Sequence, residues 1–206
     1  MSHYPGGMEP SEEDIERTLA DVVRAVEAKG LPYLLMGGAG TVTFGRSRAT
    51  NDIDLFVRAD DAGRVLEVLA GAGFETSETD LAWLHKAFRH GVLVDVIYRS
   101  AGEIFLDDEM LRRGRRRSYR GTEATIMCPE DLIVIKAIAA SEEATRHWYD
   151  ALSLIASCEL DWGYIVERAR SSGPRRVLSL LLYGESNDLA VPTWVIESLF
   201  VAIHGA

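Results

Sequence analysis

A chain of 206 residues, 47% hydrophobic and 26% charged, is long enough to bury a core without disulfide or metal staples. Its formal net charge of −10 disfavours non-specific binding to nucleic acid, because phosphates repel an acidic surface. No run approaches the ~18 apolar residues of a membrane helix. Met1 to Pro10 has no basic-then-apolar signal pattern, so a cytoplasmic protein is expected. Cys128 and Cys158 form no metal-ligand spacing and read as reduced thiols.

In chain order, Ser11 followed by Glu12, Glu13 and Asp14 predicts a helix start. Ile15, Leu19, Val22, Val23 and Val26 continue it at helical spacing as far as Gly30. Leu31 to Met36 suits a short buried strand ended by Gly37-Gly38. A short helix over Ala39 to Phe44 and a polar loop over Gly45 to Asn51 follow. Asp52 to Val57 alternates acid and aliphatic, as a strand with one functional face does. Asp60 to Leu69 is helical and closes at Gly71 and Gly73. Ala82 to Phe88 and Val92 to Tyr98, flanking Arg89-His90-Gly91, predict a β-hairpin. Ile104 to Leu111 reads as a helix and Glu123 to Met127 as a last strand. After Cys128 the pattern is helical: Pro129 to Ala140, Glu142 to Ile155, Trp162 to Arg170, Val177 to Leu182 and Thr193 to Ile203. The plan is an α+β protein: residues 1–127 as an α/β core with an N-terminal helix, residues 128–206 as a helical subdomain.

Asp52-Ile53-Asp54 is the main chemical signal. Residues two apart on a strand share a face, so both carboxylates emerge side by side. Neighbouring carboxylates repel, and a hard cation such as Mg²⁺ (or Mn²⁺), which takes oxygen ligands, would relieve them. Alone, such a pair also occurs on ordinary surface strands. Asp95 interrupts the apolar run Val92 to Tyr98 and reads either as a third metal ligand or as an acid paired to a buried arginine. Gly37-Gly38 would let the backbone approach a phosphate at the following helix N-terminus.

These residues together resemble the signature of the nucleotidyltransferase superfamily, the polymerase-beta-like fold: a Gly-Gly pair, an acid pair in an aliphatic strand, and a third acid on a later strand. The segment Arg48 to Leu55 is similar to that of bacterial branches related to abortive-infection and toxin–antitoxin transferases. So are Pro129-Glu130-Asp131-Leu132-Ile133, Lys136 and Asp150; Arg146-His147 departs from the Lys-Asp often found there. The resemblance implies a mixed sheet with flanking helices and a C-terminal helical region. It implies Asp52, Asp54 and Asp95 as catalytic metal ligands and Lys136 as a catalytic cation for the triphosphate. Gly37, Gly38, Arg48, Thr50, Arg146 and Asp150 would join Lys136 in binding the nucleotide, ATP or another NTP.

The expected function is metal-dependent transfer of an NMP from an NTP to a hydroxyl on an RNA end, a small molecule or a protein. The alternative is a degenerate member that binds nucleotide or a partner without turnover. A dinucleotide-binding loop is rejected, because Thr43 stands where G-x-G-x-x-G needs its last glycine. A D-x-D glycosyltransferase does not require the Gly-Gly pair. Arg112, Arg113, Arg115, Arg116, Arg117 and Arg120 crowd into residues 112–120; they read either as a patch for an anionic acceptor such as tRNA or as a solvated helix end with a basic turn.

Overall fold

The computed structural model describes residues 9–78 and 82–205; the stretch Met1 to Met8, read above for a signal pattern, lies outside them. The chain divides into two compact units. The first comprises residues 1–39, 48–99 and 105–127, and the second 40–47, 100–104 and 128–206.

The first unit opens with helix α1, Glu12–Glu27. Ser11 caps it, accepting from Asp14 N while Asp14 reaches back to the Ser11 backbone. Ile15, Leu19, Val22, Val23 and Val26 are its buried stripe. A seven-stranded mixed sheet follows: β1 Tyr33–Leu35, β2 Asp52–Val57, β3 Glu75–Ser77, β4 Leu84–Arg89, β5 Val92–Ile97, β6 Arg115–Tyr119 and β7 Thr122–Ile126. Its order is β3-β4-β5-β2-β1-β7-β6. The two strands with an acid in their aliphatic pattern, β2 and β5, are adjacent and parallel at its centre. Helix α3, Ala62–Gly71, packs on β4 and β5.

Two hairpins are closed by two-residue turns at positive φ, His90-Gly91 (51° and 74°) and Arg120-Gly121 (48° and 71°). This geometry matches the twist of the paired strands. The expected strand at 82–88 begins at Leu84, and that at 123–127 is β7. Strands β3 and β6 were not expected. The helix expected at Ile104 to Leu111 is α4, Asp108–Arg113, displaced because Asp107 is its cap and accepts from Met110 N at 2.8 Å.

The short helix α2, Gly37–Phe44, begins at the glycine pair itself and runs from the first unit into the second. The second unit otherwise holds α5 Pro129–Ala139, α6 Arg146–Ser157, α7 Trp162–Ser172, α8 Pro174–Glu185 and α9 Thr193–His204. Helix α6 starts four residues later than its apolar pattern suggested. Helix α5 is buried on every side from Pro129 to Ala137 and packs against α6, α7 and α8. Among the described residues no helix is long and apolar enough to cross a membrane, and Cys128 and Cys158 are both free thiols.

Candidate active site

The pleat of β2 turns Ile53, Leu55 and Val57 inward and leaves Asp52 and Asp54 partly exposed on the opposite face. In the parallel pairing with β5, Asp54 stands directly across from Asp95. In the antiparallel pairing of β5 with β4, Asp95 stands across from Lys86. In-register residues share a face, so Asp54, Asp95 and Lys86 form one row across three strands, with Asp52 two residues along from Asp54. The Lys86 ammonium lies 3.2 Å from Asp95 Oδ1, with side-chain exposures of 31% and 15%.

Gly37 and Gly38 have a local reason beside this row. Met36 N donates to Asp54 O at 3.0 Å, holding the start of α2 against β2. Gly37 sits at φ +56°, and a Cβ there would overlap the Asp54 carboxylate; a Cβ on Gly38 would overlap the Thr50 side chain. The pair therefore lets the backbone close onto the acid strand, whatever else it admits. Thr50 is buried, and its hydroxyl donates to Asp52 Oδ1 at 2.7 Å. Sequence reading placed Thr50 with the nucleotide; its contact here is the acid, which it orients. Arg48 Nη1 donates to the Ala49 carbonyl at 3.0 Å.

Burial pushes the Asp95 carboxyl above the usual aspartate value, Lys86 pulls it back, and the charge of Asp52 pushes it up again. The alternative partner considered for Asp95, a buried arginine, is in fact Lys86. A signal for it existed in the sequence: a two-residue turn at His90-Gly91 sets Arg89 across from Val92 and, by counting back, Lys86 across from Asp95. The oxygen-only donor set and the crowding of like charge suit a hard divalent cation. Among the described residues, though, no three His, Cys, Asp or Glu side chains are placed to hold a metal ion as they stand. Lys86 and Thr50 engage Asp95 and Asp52 instead. Mg²⁺ needs only one or two protein carboxylates when substrate phosphates complete its shell, so Asp52 and Asp54 fit such an ion.

Residues 11–184 match the family described as uncharacterised nucleotidyltransferase. The chain belongs to that family. The nucleotidyltransferase fold agrees with solved structures. An antigenic nucleotidyltransferase-like protein from Paracoccidioides brasiliensis superposes with a TM-score of 0.53 at 19% identity, covering 96% of this chain and 100% of that one. The antibiotic-resistance factor ANT(2'')-Ia gives a TM-score of 0.50 at 15% identity, covering 87% and 96%. Both likenesses concern the fold alone. No curated protein matches the chain.

In the nucleotidyltransferase's second unit, the motif at Pro129 to Lys136 is resolved as a buried polar network. Pro129 opens α5 in its first turn. Glu130 accepts from Asp161 N at 3.1 Å. Asp131 accepts from the Tyr164 hydroxyl and from Arg168 Nε, both at 3.0 Å, and from Cys128 Sγ at 3.1 Å. Lys136 Nζ donates to Asp150 Oδ2 at 2.9 Å, with side-chain exposures of 3% and 0%. The same Asp150 accepts from Arg46 Nε at 3.0 Å, and Arg46 is 42% exposed. Lys136 therefore does not snorkel to solvent; its ammonium is held by Asp150. Arg46 was missed, since nothing local in the polar loop indicates a partner 104 positions away. Arg146 is exposed at the start of α6.

The arginine cluster is split among three elements. Arg112 and Arg113 end α4 and pair with Glu109. Arg115, Arg116 and Arg117 lie on the edge strand β6, where Arg116 pairs with Glu27. Arg120 sits in the hairpin turn, paired with Glu12 and donating to the Thr50 carbonyl at 3.1 Å. Exposed arginines on an edge strand discourage edge-to-edge pairing of sheets.

Proposed function

We propose that this nucleotidyltransferase moves an NMP from an NTP to an acceptor hydroxyl at the row formed by Asp52, Asp54 and Asp95. The observation that carries the proposal is the register: two acids on β2 and a third directly across on β5, with the Gly37 backbone closed against Asp54. Asp52 and Asp54 would hold Mg²⁺ or Mn²⁺, which when bound neutralises phosphate charge and aligns the triphosphate for in-line displacement. Thr50 keeps Asp52 in position and Gly37 leaves room for Asp54. Asp95 takes the proton of the acceptor hydroxyl as its oxygen bonds to the α-phosphorus and the bond to the leaving pyrophosphate breaks. Arg48, and Lys136, Arg146 and Asp150 of the second unit, are assigned to nucleotide binding on resemblance alone, and single variants assayed for NTP affinity would test each.

A second reading, a member that binds nucleotide or a partner without turnover, draws on the capture of Asp95 by Lys86 and the burial of Lys136. The acceptor is proposed to be a small hydroxylated molecule ahead of an RNA end, because Arg112, Arg113, Arg116 and Arg120 are already paired within the protein. Two free thiols suit the reducing cytoplasm. Incubation with each α-labelled NTP and Mg²⁺, with hydroxylated small molecules or bulk tRNA, tests the proposal. Label moving to an acceptor with wild type and not with Asp52→Ala/Asp54→Ala supports transfer. Metal-dependent NTP binding without any transfer supports the second reading.

A further inference from the structure

Lys86 belongs to no motif of the sequence, yet the sheet places it in line with the acids. Asp54, Asp95 and Lys86 are consecutive in-register positions on β2, β5 and β4. The residues that share its face on its own strand, Leu84 and Phe88, are apolar. Its ammonium lies 3.2 Å from Asp95 Oδ1. The acids contribute three negative charges and Lys86 one positive, which leaves the row at −2, the charge one divalent ion balances.

We propose that Lys86 is the protein's own cation at Asp95, standing where a second divalent ion would otherwise bind, so that the row takes a single divalent ion at Asp52 and Asp54. This inference rests on the function proposed above and makes Lys86 a positioning residue. It reserves Asp95 for the acceptor side of the reaction and keeps a second cation away from that carboxylate. Two like charges about 4–6 Å apart near a protein surface oppose each other strongly enough to change an affinity by at least about tenfold. Removing the ammonium should therefore open Asp95 to metal.

The test is titration of the full-length protein with Mn²⁺ alone, free Mn²⁺ being read by electron paramagnetic resonance, for wild type, Lys86→Met, Lys86→Arg and Asp52→Ala/Asp54→Ala. The expected result is one ion for wild type and Lys86→Arg, and either a second ion or at least about tenfold tighter binding for Lys86→Met. Unchanged number and affinity in Lys86→Met, with binding lost in Asp52→Ala/Asp54→Ala, overturns the role of Lys86 and leaves the proposed function standing. Binding that persists in Asp52→Ala/Asp54→Ala overturns both, because the ion then sits elsewhere. No binding by wild type, with or without binding by Lys86→Met, overturns the inference, because the row then takes no ion of its own. Thermal unfolding of each variant confirms that it is folded; should Lys86→Met not fold, Lys86→Gln carries the same expectation.

Discussion

Replacing Asp150 by alanine removes the acid that holds Lys136 inside the second unit. The Lys136 side chain is 3% exposed and Asp150 0%, so the remaining ammonium has no route to water without local opening. Deleting one partner of a buried ion pair costs about 3–5 kcal/mol, because the other charge stays in the interior without that ion-pair compensation. Arg46, already 42% exposed, turns to solvent at little cost. For a chain of this length the loss corresponds to a fall in melting temperature of about 6–20 °C. Replacing both partners by apolar residues, Lys136→Met/Asp150→Leu, removes the buried ammonium as well and should recover most of the loss. Thermal unfolding followed by circular dichroism, with tryptophan fluorescence from Trp148, Trp162 and Trp194 in this unit, provides the assay. A loss below about 1 kcal/mol for Asp150→Ala, or a double variant no better than the single, would mean that Lys136 and Asp150 are not a buried ion pair in solution.

Gly37→Ala should abolish metal-dependent NTP binding while the protein stays folded, because its Cβ displaces the Asp54 carboxylate and the backbone is at φ +56°; calorimetry reads this directly, and unchanged binding would contradict the placement of Asp54. Hydrogen bonding from Arg116 holds the Glu27 carboxyl below its ordinary value of 4.5. The stability from this pair is present above that value and lost as pH falls through the lowered one, so the gap between wild type and Glu27→Gln should close on acidification from pH 7 in pH-dependent denaturant unfolding. Burial pushes the Cys128 thiol well above the ordinary range, so a thiol reagent should modify Cys158 first and reach Cys128 only on unfolding. Mass spectrometry of the labelled peptides would show the order.

The elements legible in the sequence were those whose apolar pattern matches their burial. Strand β2 was read to its observed limits, Asp52–Val57, because acid and aliphatic alternate along it. Helix α1 followed from its cap and its stripe. Strands β3 and β6 were not legible: Glu75, Thr76 and Ser77 are all exposed, and β6 buries Tyr119 while its arginines face outward. An edge strand of polar residues takes its form from the neighbour it pairs with, not from its own periodicity. The Asp52 and Asp54 pair followed from spacing and Asp95 from the resemblance, but the contacts that close the row did not. Thr50 on Asp52 and Lys86 on Asp95 depend on strand register, and the register at Lys86 could have been counted from the hairpin turn. The burial of Lys136 was not legible because helix α5 is surrounded on all sides, which its sequence, carrying Glu130, Asp131 and Lys136, conceals until Tyr164, Arg168 and Asp150 are brought against it.

Calorimetric titration of NTP into the protein reads whether Asp52 and Asp54 serve a metal–nucleotide complex. Binding is expected in Mg²⁺ or Mn²⁺ and is expected to be lost in EDTA and in Asp52→Asn/Asp54→Asn, two substitutions that preserve side-chain shape. Binding of equal strength in EDTA, or in the doubly substituted protein, would contradict that role.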